Sequence, residues 1–278
     1  MADPQSFQVP PGMVAMTTYG QIQQETANDL MAMRSLMEKQ GLGNIQWAMV
    51  PGGLVEKARN DACRQALRAG AGWLCFIDGD MTFAPDSLTR LLQYSFAENP
   101  AADVVGAWCP LRGEMALPTI DTGTGTWESH YPNSGPMEVM RTGGAFLVIK
   151  RHVLERMPDP WFRMRVPARP VDAMGEVDNF ARIKFDGQNP FRDLDGAPWE
   201  RLETCAMQDP AANGQWVPAE VGEDSGFCDR AKRMGFRLFV QTDVSCGHVD
   251  KKILTWADHK KAMDSMKQQQ RWCVGVRA

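Results

Sequence analysis

The sequence predicts an α/β fold in which a mostly parallel central sheet is flanked by helices. Short apolar runs alternate with stretches of helical periodicity over residues 13–108, and this alternation is typical of parallel strands joined by helices. With 278 residues, of which 44% are hydrophobic and 23% charged, the chain can bury the core of one large domain or two small ones. Solenoids and propellers are excluded because no repeat of about 20 to 50 residues is visible.

The first half of the chain alternates regularly between strands and helices. Apolar runs predict strands at residues 13–18, 45–50, 73–77 and 103–108. Two helices lie between the first three strands and end at Gly41 and Gly70, because glycine commonly terminates a helix. A third helix begins at Pro85, since proline is favoured in a first helical turn. The order predicts a Rossmann-like arrangement, whose ligands bind at the carboxyl ends of the strands.

The second half of the chain is less regular. It contains a predicted strand at residues 145–149, a helix at 223–234 and a strand at 236–241. Residues 163–221 are rich in proline, aspartate and glycine, which predicts a loop-rich insertion of the length that functional loops reach. A polar amphipathic helix is predicted at residues 253–272.

Composition and cysteine spacing limit the class of protein. The seven cysteines form no C-x-x-C pair, which argues against a zinc or disulfide framework and favours a reducing compartment. The net charge of −4 provides no overall field for a polyanion, so nucleic-acid binding would need a local basic patch. The sequence shows neither a secretory signal nor an apolar run of the roughly 18 to 20 residues that a membrane helix needs. We therefore expect a cytoplasmic protein without membrane insertion.

The strongest single feature is the acidic turn Asp78-Gly79-Asp80, directly after the apolar run WLCFI. Two carboxylates at the carboxyl end of a central strand need a positive partner, and Mg²⁺ or Mn²⁺ bridging a diphosphate is the usual one. The plain alternative is that these residues only form the turn after the strand. A calcium EF-hand loop is excluded, because Phe83 and Thr89 stand where that loop needs glycine and glutamate.

A haloacid-dehalogenase-like phosphatase is one enzyme alternative. Residues 78–82, DGDMT, resemble the D-x-D-x-T motif of that superfamily, and Gly222-Glu223-Asp224 with Asp229 could form its late acidic motif. In that superfamily, however, the motif usually follows the first strand of the domain. Here two predicted strands and two predicted helices precede it.

Five short motifs follow one another along the chain. They are Ala58-Arg59-Asn60, the acidic turn 78–80, residues 142–148 (TGGAFLV), residues 222–228 (GEDSGFC) and Gly247-His248-Val249. This order resembles the nucleotide-sugar glycosyltransferases of the GT-A fold, especially the family-2-like group and its phage-encoded members. The resemblance implies a single GT-A-like domain over residues 1–278. Its nucleotide-binding half would span 12–110, its sugar and acceptor half 111–250, and its C-terminal helix 251–278.

The resemblance also implies a metal site. Asp80 and His248 would coordinate Mn²⁺ or Mg²⁺ on the donor diphosphate, and Asp78 would contact the ribose or assist the metal. Carboxylate oxygens with one imidazole suit Mn²⁺ better than Zn²⁺, and the cation would offset the charge that builds on the leaving diphosphate. The alternative for His248 is a partly buried histidine that hydrogen-bonds a carbonyl.

The acidic pair Glu223-Asp224 is the predicted catalytic pair. In an inverting transfer Asp224 would be the general base, and Glu223 would bind the acceptor or give structural support. Acidic residues are also favoured in the first turn of a helix without any catalytic role. Retaining families share similar motifs, so both stereochemical outcomes stay open.

The remaining site residues follow from the same resemblance. The expected donor-binding residues are Thr17, Thr18, Arg59, Asn60, Asp78, Gly143, Gly144 and Trp161. Trp161 and Phe162 would stack on the donor or acceptor sugar, although an aromatic pair at this position is as often plain core.

The predicted activity is that of a hexosyltransferase-type enzyme with a nucleoside diphosphate sugar as donor, UDP being the expected nucleotide. The acceptor hydroxyl would belong to a modified DNA base of a phage, or to a glycan or small molecule. Residues 163–221 would select the acceptor and become ordered with ligand. The expected compartment is a bacterial or phage-infected host cytosol. The phosphatase and a non-catalytic sugar-nucleotide-binding protein remain as alternatives.

Overall fold

The computed structural model describes residues 8–18, 21–111, 118–123, 134–163, 206–208, 216–218, 222–249, 253–257 and 260. Its elements are, in order, β1 (Gly12–Thr18), α1 (Gln24–Lys39), β2 (Ile45–Pro51), α2 (Val55–Arg68), β3 (Trp73–Asp78), β4 (Met81–Thr82), α3 (Ser87–Gln93), β5 (Val104–Trp108), β6 (Ile120–Asp121), β7 (Pro136–Glu138), β8 (Arg141–Thr142), β9 (Phe146–Lys150), α4 (Arg151–Arg156), β10 (Ala206–Gln208), β11 (Trp216–Pro218), α5 (Glu223–Arg233), β12 (Leu238–Ser245), β13 (Gly247–Val249) and β14 (Ile253–Leu254). A π-helical turn at Tyr94–Glu98 continues α3.

A seven-stranded sheet forms the centre, in the order β2-β1-β3-β9-β5-β12-β7. Strand β1 lies parallel between β2 and β3, and β5 lies parallel to β12. The predicted Rossmann-like α/β fold with a mostly parallel sheet is confirmed. Strand β9, however, runs antiparallel between β3 and β5, and the edge strand β7 runs antiparallel to β12. Parallel neighbours need a crossover that returns the chain to the starting edge, and the described residues between β5 and β9 contain no helix to make one.

The strands and helices predicted in the first half are confirmed, with ends that shift by one or two residues as element ends commonly do. The helix expected from Pro85 begins at Ser87. The sequence of β3 is apolar without alternation because both faces of this strand are covered. Leu74 and Phe76 pack in the layer that contains α2, whereas Cys75 and Ile77 pack in the layer that contains α1.

A second, small sheet joins the acidic turn to the late histidine motif. Strand β4, which follows the turn, pairs antiparallel with β13, so that Gly247 lies opposite Thr82 and His248 opposite Met81. Strand β14 completes this sheet. The predicted C-terminal helix therefore does not begin at Ile253, which is part of β14. Apart from residues 255–257 and 260, the rest of that predicted helix lies outside the described residues.

Most of the predicted insertion, residues 163–221, also lies outside the described residues. Within it the structure describes residue 163 and the two strands β10 and β11, which pair antiparallel. The described cysteines (Cys63, Cys75, Cys109, Cys228 and Cys246) are buried thiols, as the absence of a C-x-x-C pair predicts. In the described parts of the chain, no helix has both the length and the apolar character needed to cross a membrane.

Candidate functional site

The acidic turn lies at the carboxyl end of β3 and is tied to the neighbouring strand end. The Thr17 hydroxyl donates to Asp78 Oδ1 at 2.5 Å, and the Gly79 amide donates to the Thr17 carbonyl at 3.1 Å. The Thr18 hydroxyl donates to the carbonyl of Gln21 at 2.5 Å, in the chain that leaves β1. Both threonines therefore shape this edge of the sheet, and Thr17 orients the first carboxylate of the turn.

Arg59 of α2 joins the acidic turn to the start of α5. Its guanidinium Nη2 lies 3.3 and 3.2 Å from the two carboxylate oxygens of Asp78, and Nη1 donates to Glu223 Oε1. The rings of Phe76 and Phe162 lie 6.0 and 5.7 Å from its Cζ atom, within the range of a cation–π contact. The side chain is only 3% exposed.

Burial and three carboxylates around the Arg59 guanidinium dominate the electrostatics of this cluster. Burial alone lowers the pKa of Arg59, but the charges of Asp78, Glu223 and Asp224 outweigh it and raise that pKa, so the guanidinium is always charged. Burial raises the pKa of Glu223 above its usual value; Arg59 opposes this effect, and the charge of Asp224 adds to it.

Gly144 is the residue where the β8–β9 turn touches both Arg59 and the acidic pair. A Cβ atom on Gly144 would lie 2.6 Å from Arg59 Cζ, so only glycine leaves room for the guanidinium. The Gly144 amide donates to Asp224 Oδ2 at 3.2 Å, and the Ser225 amide donates to Asp224 Oδ1 at 2.7 Å. Gly143 packs on Thr119 instead, with its own Cβ position 2.9 Å from the threonine hydroxyl.

Asp80 and His248, predicted as metal ligands, face each other. His248 Nε2 lies 3.5 Å from Asp80 Oδ1, and both side chains are mostly buried. His248 Nδ1 lies 2.9 Å from the carbonyl oxygen of Pro110. A carbonyl oxygen can only accept, so Nδ1 carries a proton. Nε2 is then the nitrogen that faces the carboxylate.

The side chains of this pair are of types that can hold a divalent cation. A histidine ligand usually donates its other ring N–H to a carbonyl or carboxylate, as His248 does to Pro110. The 3.5 Å separation is long for a hydrogen bond and close to the roughly 3 to 3.5 Å between two ligands that share one cation at about 2.1 Å. In the described part of the chain, no group of three His, Cys, Asp or Glu residues surrounds a metal position. Mg²⁺ commonly takes one or two protein ligands and completes its shell with phosphate and water.

Asn60 and Trp161 are held in the core. The Asn60 amide nitrogen donates to the Phe162 carbonyl at 2.8 Å, and its oxygen accepts from the Phe162 amide at 2.9 Å. Trp161 is 4% exposed and donates from Nε1 to the Leu154 carbonyl at 2.9 Å. Phe162 is fully buried and stacks on Phe227. The structure thus buries these side chains instead of leaving them on a surface open to a sugar, and the ring of Phe162 packs against Arg59.

Asp229, the further acid considered for a phosphatase motif, is paired with Arg141 of β8. It accepts two hydrogen bonds from Arg141, at 2.6 and 3.1 Å. The residue that sequence reasoning missed is Pro110, because its contribution is a backbone carbonyl and no residue type marks such an atom.

Comparisons with known proteins support the fold. No protein-family model matches the sequence, and curated proteins give no significant match. Among solved structures the chain is similar to A197 from STIV, with a TM-score of 0.53 and 16% identity over 89% of this chain and 91% of that chain.

Two weaker likenesses have 11% identity. One is to a glycosyltransferase involved in the glycosylation of the major capsid of PBCV-1, with a TM-score of 0.29 over 54% of this chain and 69% of that chain. The other is to glucosyl-3-phosphoglycerate synthase from Mycobacterium tuberculosis in complex with Mn²⁺, UDP-glucose and phosphoglyceric acid, with a TM-score of 0.33 over 53% of this chain and 60% of that chain. The chain has a Rossmann-like α/β fold, and its likeness to A197 extends over most of both chains.

Proposed function

We propose that this protein is a metal-dependent glycosyltransferase that moves a sugar from a nucleoside diphosphate sugar to an acceptor hydroxyl. The observation that carries the proposal is the Asp80–His248 pair, with its imidazole oriented by the Pro110 carbonyl. This pair stands at the carboxyl end of β3, where open α/β sheets bind their ligands.

The charge of the site supports a cation-dependent donor. Among the described residues, Asp78, Asp80, Glu223 and Asp224 bring four carboxylates to this region, and Arg59 is the guanidinium that pairs with two of them. A bare diphosphate would be repelled by such an excess of negative charge. A bound Mn²⁺ or Mg²⁺ ion would remove this repulsion and would stabilise the departing nucleoside diphosphate.

Asp224 is the proposed general base. Each of its carboxylate oxygens accepts one backbone N–H, from Ser225 and from Gly144, and this fixes the orientation of the group. A carboxylate oxygen has two lone-pair positions, so each oxygen can still accept the proton of an acceptor hydroxyl. Glu223 is bound to Arg59 and gives structural support in this proposal.

The same geometry disfavours a phosphatase. A phosphatase that used Asp78 as its nucleophile would need this carboxylate to reach the phosphoryl group, but Asp78 is paired with the buried guanidinium of Arg59. Thr17 and Arg59 both engage Asp78 Oδ1, and Arg59 also reaches Oδ2. The late acid Asp229 is paired with Arg141.

The decisive experiment measures Mn²⁺ and UDP binding by calorimetry in the wild type, in Asp80→Ala and in His248→Ala. His152→Ala is the matched control, because His152 lies on α4 and pairs with Asp103 instead of the site. We expect UDP binding that depends on Mn²⁺ and that weakens about tenfold or more in both site variants but not in the control. Unchanged Mn²⁺-dependent binding in both site variants would show that the metal assignment is wrong.

Turnover separates the classes of function. A transferase releases UDP from its donor with Mn²⁺, a phosphatase cleaves a generic phosphomonoester with Mg²⁺, and a binding protein does neither. In Asp224→Asn we expect donor binding to persist and turnover to fall about 10²- to 10⁴-fold. The anomeric configuration of the product, measured by NMR, tests the mechanism independently: retention would remove the role of Asp224 as base.

Donor and acceptor need a direct screen. UDP-sugars are the expected donors, and the proposed acceptors are a modified DNA base or a glycan or small molecule, in the cytosol of a bacterial or phage-infected cell. A donor at a hundred times its dissociation constant should add about 2.7 kcal/mol to the free energy of unfolding, which a thermal-shift screen with Mn²⁺ detects.

A further inference from the structure

Arg59 is the point where three parts of the site meet. Its guanidinium binds Asp78 in the acidic turn and Glu223 at the start of α5. The backbone of Gly144 lies against the same group, and the amide of Gly144 holds Asp224. Arg59 therefore contacts two neighbours of Asp224. One is Glu223, which precedes Asp224 in the sequence, and the other is Gly144, whose amide binds the Asp224 carboxylate.

The guanidinium is closed off from any ligand in this arrangement. Its side chain is 3% exposed, and the buried Nε atom has no hydrogen-bond partner among the residues that the structure describes. Phe76 and Phe162 lie within 6.0 Å of the group, while Gly144 lies so close that a Cβ atom would be 2.6 Å from Cζ. The resemblance to glycosyltransferases implies a nucleotide contact for this arginine, but its side chain is buried against protein and bound to Asp78 and Glu223.

We propose that Arg59 is a positioning residue that links the metal-binding turn, residues 78–80, to the start of α5, and that it contacts no ligand. The proposal rests on the proposed function, because it assigns Arg59 the task of fixing the base Asp224 relative to the cation held by Asp80 and His248.

Lysine cannot replace arginine in this link. The guanidinium is a rigid planar fork that meets two carboxylates at once, whereas an ammonium group is a compact point charge on a flexible stem. Arg59→Lys keeps the positive charge among the carboxylates but loses the fixed spacing between Asp78 and Glu223. A base displaced by about 1 Å costs about 10²-fold in rate, without loss of affinity for a donor that Arg59 does not touch.

The first test compares Arg59→Lys with Arg68→Lys, the same substitution at an exposed position of α2. We expect Arg59→Lys to lower kcat by about 10²-fold, with KM for the donor and the Kd of UDP with Mn²⁺ within about threefold of the wild type. A contact with the nucleotide would instead raise that Kd by about tenfold or more, the usual loss for a charge-assisted hydrogen bond. Such a rise would overturn the proposal.

The second test needs no activity. Hydrogen exchange of the Gly144 amide reports directly on its bond to Asp224. We expect faster exchange at Gly144 and in the first turn of α5 in Arg59→Lys, and no change in Arg68→Lys. Unchanged exchange at Gly144 would refute the link even if the protein had no transferase activity. A protein without Mn²⁺-dependent UDP binding would refute the proposed function alone.

A third variant keeps the proposal testable if Arg59→Lys does not fold. Glu223 is partly exposed, and Glu223→Ala cuts the link on the α5 side alone. We expect Glu223→Ala to reproduce the loss of kcat and the faster exchange at Gly144. Glu223→Gln should restore both in large part, because its amide oxygen still accepts a hydrogen bond from Arg59. If Glu223→Ala leaves the exchange of Gly144 unchanged, Arg59 does not act through α5.

Discussion

The substitution Gly144→Ala tests the packing around Arg59 most directly. The new Cβ atom would lie 2.6 Å from Arg59 Cζ and Nη1 and 2.9 Å from Nη2, whereas ordinary contact begins at 3.4 Å. The guanidinium or the start of β9 must therefore move by about 0.8 Å. Arg59 cannot swing aside freely, because Asp78 and Glu223 hold it on two sides.

The expected cost follows from this overlap. Overpacking in a core costs about 1 to 3 kcal/mol, and the upper half of that range is appropriate where the obstacle is a buried, hydrogen-bonded side chain. A loss of about 2 kcal/mol lowers the Tm of a domain of this size by about 4 to 8 °C. Thermal and urea denaturation should show this loss in Gly144→Ala and not in Gly43→Ala, where a Cβ atom meets nothing within 4 Å.

A double-mutant cycle identifies the cause. If the clash is with the guanidinium, Gly144→Ala should cost less in the Arg59→Lys background than in the wild type, because contacting residues are not additive. A Gly144→Ala protein as stable as Gly43→Ala, or costs that add in the cycle, would show that Arg59 does not occupy this position.

Three further predictions concern the supporting residues. Asn60→Ala leaves the amide and carbonyl of Phe162 unpaired, so the free energy of unfolding should fall by about 2 kcal/mol or more with the Mn²⁺ affinity unchanged; an equally stable variant would contradict this. Trp161→Phe loses the bond to the Leu154 carbonyl and should cost about 1 to 3 kcal/mol, measured by urea denaturation; a raised donor KM without loss of stability would instead place Trp161 at the sugar. Burial raises the pKa of Glu223 in the folded state above 4.5. The contribution of this group to the free energy of unfolding is therefore complete below pH 4.5 and is lost as the pH rises through the folded-state pKa. In urea denaturation, Glu223→Gln should therefore lose less stability than the wild type as the pH rises above 4.5, and equal losses would rule out a raised pKa.

The sequence predicted the site best where local pattern and tertiary environment coincide. The apolar run before Asp78 has no alternation because both faces of β3 are covered, and the acidic turn at its carboxyl end was recognisable for that reason. The expected proximity of Asp80 and His248 is met by the pairing of β4 with β13. Whether they bind a metal remains a prediction.

Side-chain direction on α2 was beyond the reach of sequence reasoning. Arg59 and Asn60 are neighbours in one motif and both are buried, yet successive helix residues point about 100° apart. One therefore meets Asp78 and Glu223, and the other meets the backbone of Phe162. Which carboxylates and which backbone atoms stand in those two directions depends on the packing of α2 against β3, α5 and the chain after α4.

The sequence by itself determined the strands and helices of the first half, their order and the identity of the charged groups, because apolar periodicity and turn residues act over a few neighbours in the chain. The tertiary structure alone decided the direction of β9. An apolar run such as FLVIK is compatible with a parallel or an antiparallel strand, and the course of the chain from β5 to β9 determines which one forms. It also decided the orientation of His248, because the Pro110 carbonyl that fixes the imidazole is a backbone atom that every residue type carries. Contacts between segments distant in sequence depend on how the elements pack, and local sequence patterns do not predict that packing.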